Sequence, residues 1–235
     1  MDLLTYYLLG IILLPAIIYA AIAQAKVHSA FKKYSQVLNR RGVTAIDLTR
    51  KLLDQNDLRE IAIVQSPGHL SDHYHPKKKQ VGLSGEVYNS TSIAALGIAA
   101  HEVGHAIQYK EGYWPIKVRS ALVPILKLTS WMMWPLIIVG IVLLSIESVA
   151  GPTVMWVGVG LFSLTTLFSL ITLPSEFNAS KRALHLLSTT LSLDDEELRG
   201  ARKVLSAAAQ TYVAALLVSV LSLLRIIIVI LMSRR

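Results

Sequence analysis

Hydrophobic positions along this chain gather into long unbroken runs, and mixed segments separate them. The first run, Leu3 to Ala23, carries no charge and has about the length needed to cross a bilayer. It lacks the basic start of a secretory leader, and no Ala-x-Ala site is followed by a soluble secreted domain, so a retained anchor is expected. Trp131 to Ile146 and Val154 to Leu173 have the same apolar character, with Trp131, Trp134 and Trp156 near their ends, where interfacial aromatics belong. A fourth run, Tyr212 to Met232, is interrupted by Arg225, which either has a function inside the membrane or snorkels to its surface.

The segments between the runs show shorter periods. Val27 to Leu38 and Val43 to Leu53 read as helices, the second with Leu48, Leu52 and Leu53 on one face. Ile61 to Val64 suits a strand, ended by Ser66-Pro67-Gly68. Lys79 to Ser84 alternates polar and apolar residues as a half-exposed strand does. Ser90, Thr91 or Ser92 can then cap a helix through Ile93, Leu96, Ile98, Val103 and Ile107, which Gly112 ends with Pro115 beyond. Past the third run, Asp194 and Glu197 have the spacing of a capping box. The expected organisation is an anchor at 1–24, a soluble region at 25–125, a transmembrane hairpin at 126–173, soluble helices at 174–210 and a last membrane segment at 211–235.

Composition agrees with the runs: 53% of residues are hydrophobic and only 16% charged, which excludes an ordinary soluble domain. The net charge of +8 is read through the topology of a membrane protein. Lys26, Lys32, Lys33, Arg40 and Arg41 follow the first run, and Lys181, Arg182, Arg199, Arg202 and Lys203 follow the third, whereas 147–152 holds no Lys or Arg. That asymmetry puts the mixed segments on the cytoplasmic side of a multi-pass protein of the cell membrane, with the lipid bilayer as its surroundings. If the last run spans, Ser233-Arg234-Arg235 falls on the outer side against this preference, so lying in the interface is the alternative. No nucleic-acid-binding signature accompanies the charge, and no nucleic-acid partner is expected. The absence of cysteine excludes disulfides and thiolate ligands, leaving His, Asp and Glu to hold any metal.

The chemistry concentrates at His101-Glu102-Val103-Gly104-His105. Residues four apart share a helix face, so His101 and His105 can offer two imidazoles to one ion. Zinc suits two neutral imidazoles with a carboxylate, leaving a fourth position for water. Glu102 lies about 100° further round the helix, placed to take that water's proton as a general base rather than to bind the metal. The bland alternative is an ordinary helix with two hydrogen-bonded histidines. For the third ligand the residues alone leave Asp72, Glu86, Glu111, Glu176 and Asp194 open, Glu176 being favoured because it follows a span as the histidine helix precedes one.

Asp72-His73-Tyr74-His75-Pro76, Val81-Gly82-Leu83-Ser84, the string from Ala99 to Gln108 and Leu173-Pro174-Ser175-Glu176-Phe177-Asn178-Ala179-Ser180 together resemble the neutral zinc metallopeptidases of the YugP type, bacterial membrane proteins. More distantly the chain is similar to HtpX-type and CAAX-prenyl proteases. The resemblance implies a mainly α membrane protein with about four membrane helices and a small zincin-like α+β portion. It also implies one zinc per chain on His101, His105 and Glu176, and hydrolysis of peptide or protein substrates, membrane proteins among them. In the related proteases an acid four residues past the glutamate ligand orients a zinc histidine; here Ser180 holds that place, with Asn178 beside it as a further candidate for the role. Val81 to Ser84 is expected to be an edge strand that pairs with extended substrate. Candidates for stabilising the tetrahedral intermediate are His73, Tyr74, Arg182, His185 and Tyr212, none singled out by spacing. Two rival classes are a membrane scaffold with a vestigial metal site and a metal transporter or sensor. Against the second, the spans are almost clean of acids and histidines.

Overall fold

A computed structural model describes residues 10–146 and 148–233; the first nine residues of the expected anchor, Glu147 of the linker, and Arg234 and Arg235 lie outside them. The elements in order are α1 (Leu14–Tyr34), α2 (Ala45–Gln55), β1 (Ala62–Ser66), β2 (His73–His75), β3 (Gln80–Ser84), α3 (Gly85–Tyr88), α4 (Ile93–Lys110), α5 (Trp114–Ser145), α6 (Ala150–Thr190) and α7 (Asp195–Ser233). The chain divides into two compact units. One comprises Met1–Ile22, Val118–Leu173 and Tyr212–Arg235, the other Ala23–Lys117 and Pro174–Thr211. The first stretch of the second unit ends at Lys117.

Among the described residues, three helices are long and apolar enough to cross a membrane, each with part of its length in the first unit: Trp114–Gly140, Ala150–Thr190 and Asp195–Met232. The last of these is one helix, so the apolar run from Tyr212 continues the polar one before it without a break. Large side chains such as Trp131, Val142 and Leu231 stand exposed along these helices, as side chains facing lipid would. Met155, Val159 and Ile230 form a small internal cluster there. The guanidinium of Arg225 lies near the turn before α1, 3.7 Å from where a Cβ on Gly10 would stand.

The second unit has its own core. α4 carries it: Ile93, Leu96, Ala99, Ala100, Val103 and Ala106 are buried and pack with Leu48, Leu52 and Leu53 of α2. A helix apolar nearly all round must sit inside its domain, and the Ala-rich sequence lets neighbours come close. Ser92 caps it, accepting from the Ala95 N–H. At the other end Gly112, at φ +71°, takes a conformation that favours glycine, while the Tyr113 N–H reaches the Gln108 carbonyl and the Gly112 N–H the Tyr109 carbonyl. Start and stop both match the sequence signals. The Asp194–Glu197 box also forms: the Asp194 carboxylate accepts from the Glu197 N–H, and Glu197 accepts from the Asp194 N–H. Glu197 accepts from the Arg40 N–H as well, tying the α1–α2 connection to α7.

Three expectations change. Helix α1 stops at Tyr34, and Leu38 instead bridges to Ser92 at the head of α4, where buried Asn39 bonds the Thr91 and Val43 carbonyls. The short strand β2 carried no sequence signal strong enough to be predicted. The third change concerns β3. The sheet order is β1-β3-β2, so β3 is the central strand, parallel to β1 and antiparallel to β2. Val81, Gly82, Leu83 and Ser84 are buried. Val81 and Gly82 pair with strands on both sides, and the Ser84 N–H and hydroxyl go to the Asp72 carboxylate. The segment expected as an edge strand is therefore central at Val81 and Gly82.

Candidate metal centre

Helices α4 and α6 cross with their backbones nearly touching. A Cβ placed on Gly104 would stand 2.8 Å from the Ala179 carbonyl oxygen and 3.3 Å from its Cα. The absent side chain at Gly104 thus lets the turn with His101 and His105 meet the turn with Glu176. Gly104→Ala brings two opposed effects. Helix propensity favours Ala by about 1 kcal/mol, and overpacking at a backbone contact costs about 1–3 kcal/mol. The cost falls on the crossing that sets the ligand spacing, so the variant is expected to bind zinc more weakly in a chelator-competition titration, whatever its melting temperature. Affinity equal to wild type would show that the crossing does not control the site.

At the crossing, Glu176 Oε2 lies 3.2 Å from His101 Nε2 and 3.5 Å from His105 Nε2. His101, His105 and Glu176 can place one ligand atom each within 4.8 Å of one another, and among the described residues they are the group that could hold a metal ion. For an ion with arms of about 2.0–2.1 Å, the edge of a tetrahedron is about 3.3–3.4 Å, close to the two separations that Glu176 makes with the histidine nitrogens. Glu176 and His105 are buried, and His101 keeps 16% of its side-chain surface exposed, which leaves the group open on one side. Glu102, next along α4, is buried too, at 7% exposure.

The outer ring is polar and well bonded. Ser180 Oγ is 3.2 Å from His101 Nδ1, the place the resemblance assigns to an acid. Asn178 does not reach a ligand directly: its Oδ1 accepts from Gln108 Nε2 at 2.9 Å and from Arg182 Nε at 2.7 Å. Gln108, fully buried, is the residue that touches His105, its Oε1 3.0 Å from Nδ1. Its Nε2 also donates to the Ser175 carbonyl, and its Oε1 accepts from the Ser175 hydroxyl. Gln108 was legible only as a side chain three residues past His105, on the same helix face.

The remaining acids are engaged elsewhere. Asp72 serves Ser84, and burial, the larger influence, pushes its carboxyl above the ordinary range against those hydrogen bonds. Glu86 pairs with His69, Asp194 caps α7, and Glu111 pairs with Arg182 at 2.6 Å, whose hydrogen bond holds the Glu111 carboxyl below its usual range. Among the sequence's other candidates, Tyr74 packs edge-on against Tyr109, one residue from Gln108. His73 bonds the Ser71 carbonyl, and His185 lines a cleft of about 270 Å³ with Lys181 and Arg202.

One buried and one partly exposed imidazole a helical turn apart, facing a carboxylate from a second helix, make a candidate metal centre. A sequence profile of the family described as "Putative neutral zinc metallopeptidase" matches residues 9–231, and the chain belongs to that family. It is 42% identical over 212 residues to the "Putative membrane protease YugP" of Bacillus subtilis (strain 168), covering 90% of this chain and 92% of that relative. No solved structure matches the chain.

Proposed function

We propose that this chain is a membrane-embedded zinc metallopeptidase that hydrolyses peptide bonds of protein or peptide substrates, membrane proteins among them. One observation carries the reading: His101, His105 and Glu176 converge from two helices with one ligand atom each within 4.8 Å of one another, close enough to share one ion. A zinc ion held there supplies Lewis-acid polarisation of the scissile carbonyl and acidifies water. Glu102 accepts the proton of the attacking water and passes it to the leaving amine. His105 and His101 are held by Gln108 and Ser180, so that each turns Nε2 inward. We place the site on the cytoplasmic face of a multi-pass protein, because the basic segments flank the apolar helices on the side that carries it.

The test is chelation. Detergent-purified wild type should contain about one zinc per chain and cleave members of a mixed peptide library. Stripping with a chelator should abolish cleavage, and added zinc should restore it. A protein that holds zinc yet cuts nothing in any lipid or detergent would instead be a membrane scaffold with a vestigial site.

A further inference from the structure

We propose that Arg182 is a positioning residue of the metal centre: through Asn178 and Gln108 it holds His105 with a proton on Nδ1 and the Nε2 lone pair turned to the ion. The inference rests on the metal-centre reading above and extends it to residues that touch no ligand atom of the ion. It follows from which groups can only donate and which can only accept. A guanidinium has no acceptor, so the Asn178 atom 2.7 Å from Arg182 Nε must be its oxygen. That oxygen then faces Gln108 at 2.9 Å and requires the amide nitrogen of Gln108 there, as the Ser175 carbonyl does at 2.8 Å. Gln108 is left presenting Oε1 to His105 Nδ1, and an amide oxygen only accepts. His105 must therefore carry its proton on Nδ1. Glu111 anchors the far end, 2.6 Å from Arg182 Nη2, so the guanidinium is held at both edges.

Without Arg182 the Asn178 amide is free to turn its NH2 toward that of Gln108, setting donor against donor. The Ser175 carbonyl still restrains Gln108, so losing Arg182 should cost less than losing Gln108. Outer partners of ligating histidines typically matter by about 10- to 100-fold in metal affinity.

The experiment is zinc affinity of the full chain in detergent, by competition with a chromophoric chelator, alongside the melting temperature of each apo variant. Gln108→Leu should weaken binding about 10- to 100-fold and Arg182→Met by up to about 10-fold. Arg182→Lys, which keeps the charge but not the two-edged fork, should behave like Arg182→Met and covers the case in which that variant does not fold. The Gln108→Leu/Arg182→Met double variant should bind no more weakly than Gln108→Leu alone, because the effect of Arg182 passes through Gln108. Asn178→Asp should restore affinity in the Arg182→Met background, since a carboxylate cannot turn into a donor and half-buried Asn178 leaves it partly hydrated. If Arg182 merely clamped α6 to Glu111, Asn178→Asp would rescue nothing and the losses would multiply. Either result, or wild-type affinity in Arg182→Met, overturns the proposal. A wild type that binds no zinc would instead defeat the metallopeptidase reading itself.

Discussion

Glu102→Gln should leave zinc content unchanged and lower turnover by about 10²- to 10⁴-fold, the usual contribution of a positioned general base. The change is isosteric at a side chain only 7% exposed, so packing on α4 survives. The ligands survive as well, because Glu102 lies about 100° round the helix from His101 and is not one of the three converging donors. What is lost is proton affinity: a neutral amide cannot take a proton from water at any working pH. The measurement pairs elemental zinc analysis with cleavage of a peptide that the wild type has been found to cut. Undiminished turnover with zinc in place would remove Glu102 from the mechanism. Loss of zinc together with activity would show that the residue supports the metal instead.

The parts of the site legible in the sequence are those set by local geometry. His101 and His105 meet because four residues make about one turn, and caps at Ser92 and Gly112 are signalled by short-range chemistry. Glu176 lies 75 positions from His101; its place just after a span favours it among the acids, and the resemblance implies it as the ligand. What realises the meeting is the close crossing of Gly104 on Ala179, a contact between two elements that no one-dimensional pattern reports. The same limit explains why Val81 and Gly82 were expected at a sheet edge. Alternation reveals that a strand is half-buried, but the neighbours that bond its backbone are chosen by topology, and β2 was too short to predict. Hydropathy also split α6 and α7 into polar and apolar pieces, whereas each backbone is one helix. The change from polar to apolar along a helix shows in its side chains, not in its hydrogen bonds. The parts that Gln108 and Arg182 play are not legible in the sequence for a further reason. Their roles depend on the direction of hydrogen bonds between α4 and α6, and residue type alone does not give that direction.

Removing the third donor should have the largest effect on the metal. Glu176→Ala is expected to weaken zinc binding by more than about 100-fold, beyond the range typical of outer partners. It should leave the purified protein with well below one zinc per chain. Two considerations set the size. The two imidazoles that remain are the Nε2 atoms facing the lost carboxylate, so the ion loses its one anionic ligand in a buried place, where charge neutralisation counts most. The other acids weighed as ligands, Asp72, Glu86, Glu111 and Asp194, are all committed to other partners. Glu176→Gln separates the charge from the shape. It fills the same space and can offer an amide oxygen, so affinity intermediate between Ala and wild type would assign part of the effect to geometry. Elemental analysis of the three proteins, purified in parallel and checked for equal folding by circular dichroism, decides the matter. Zinc held at full occupancy by Glu176→Ala would mean that the ion sits elsewhere, and the pairing of α4 with α6 would then be structural alone.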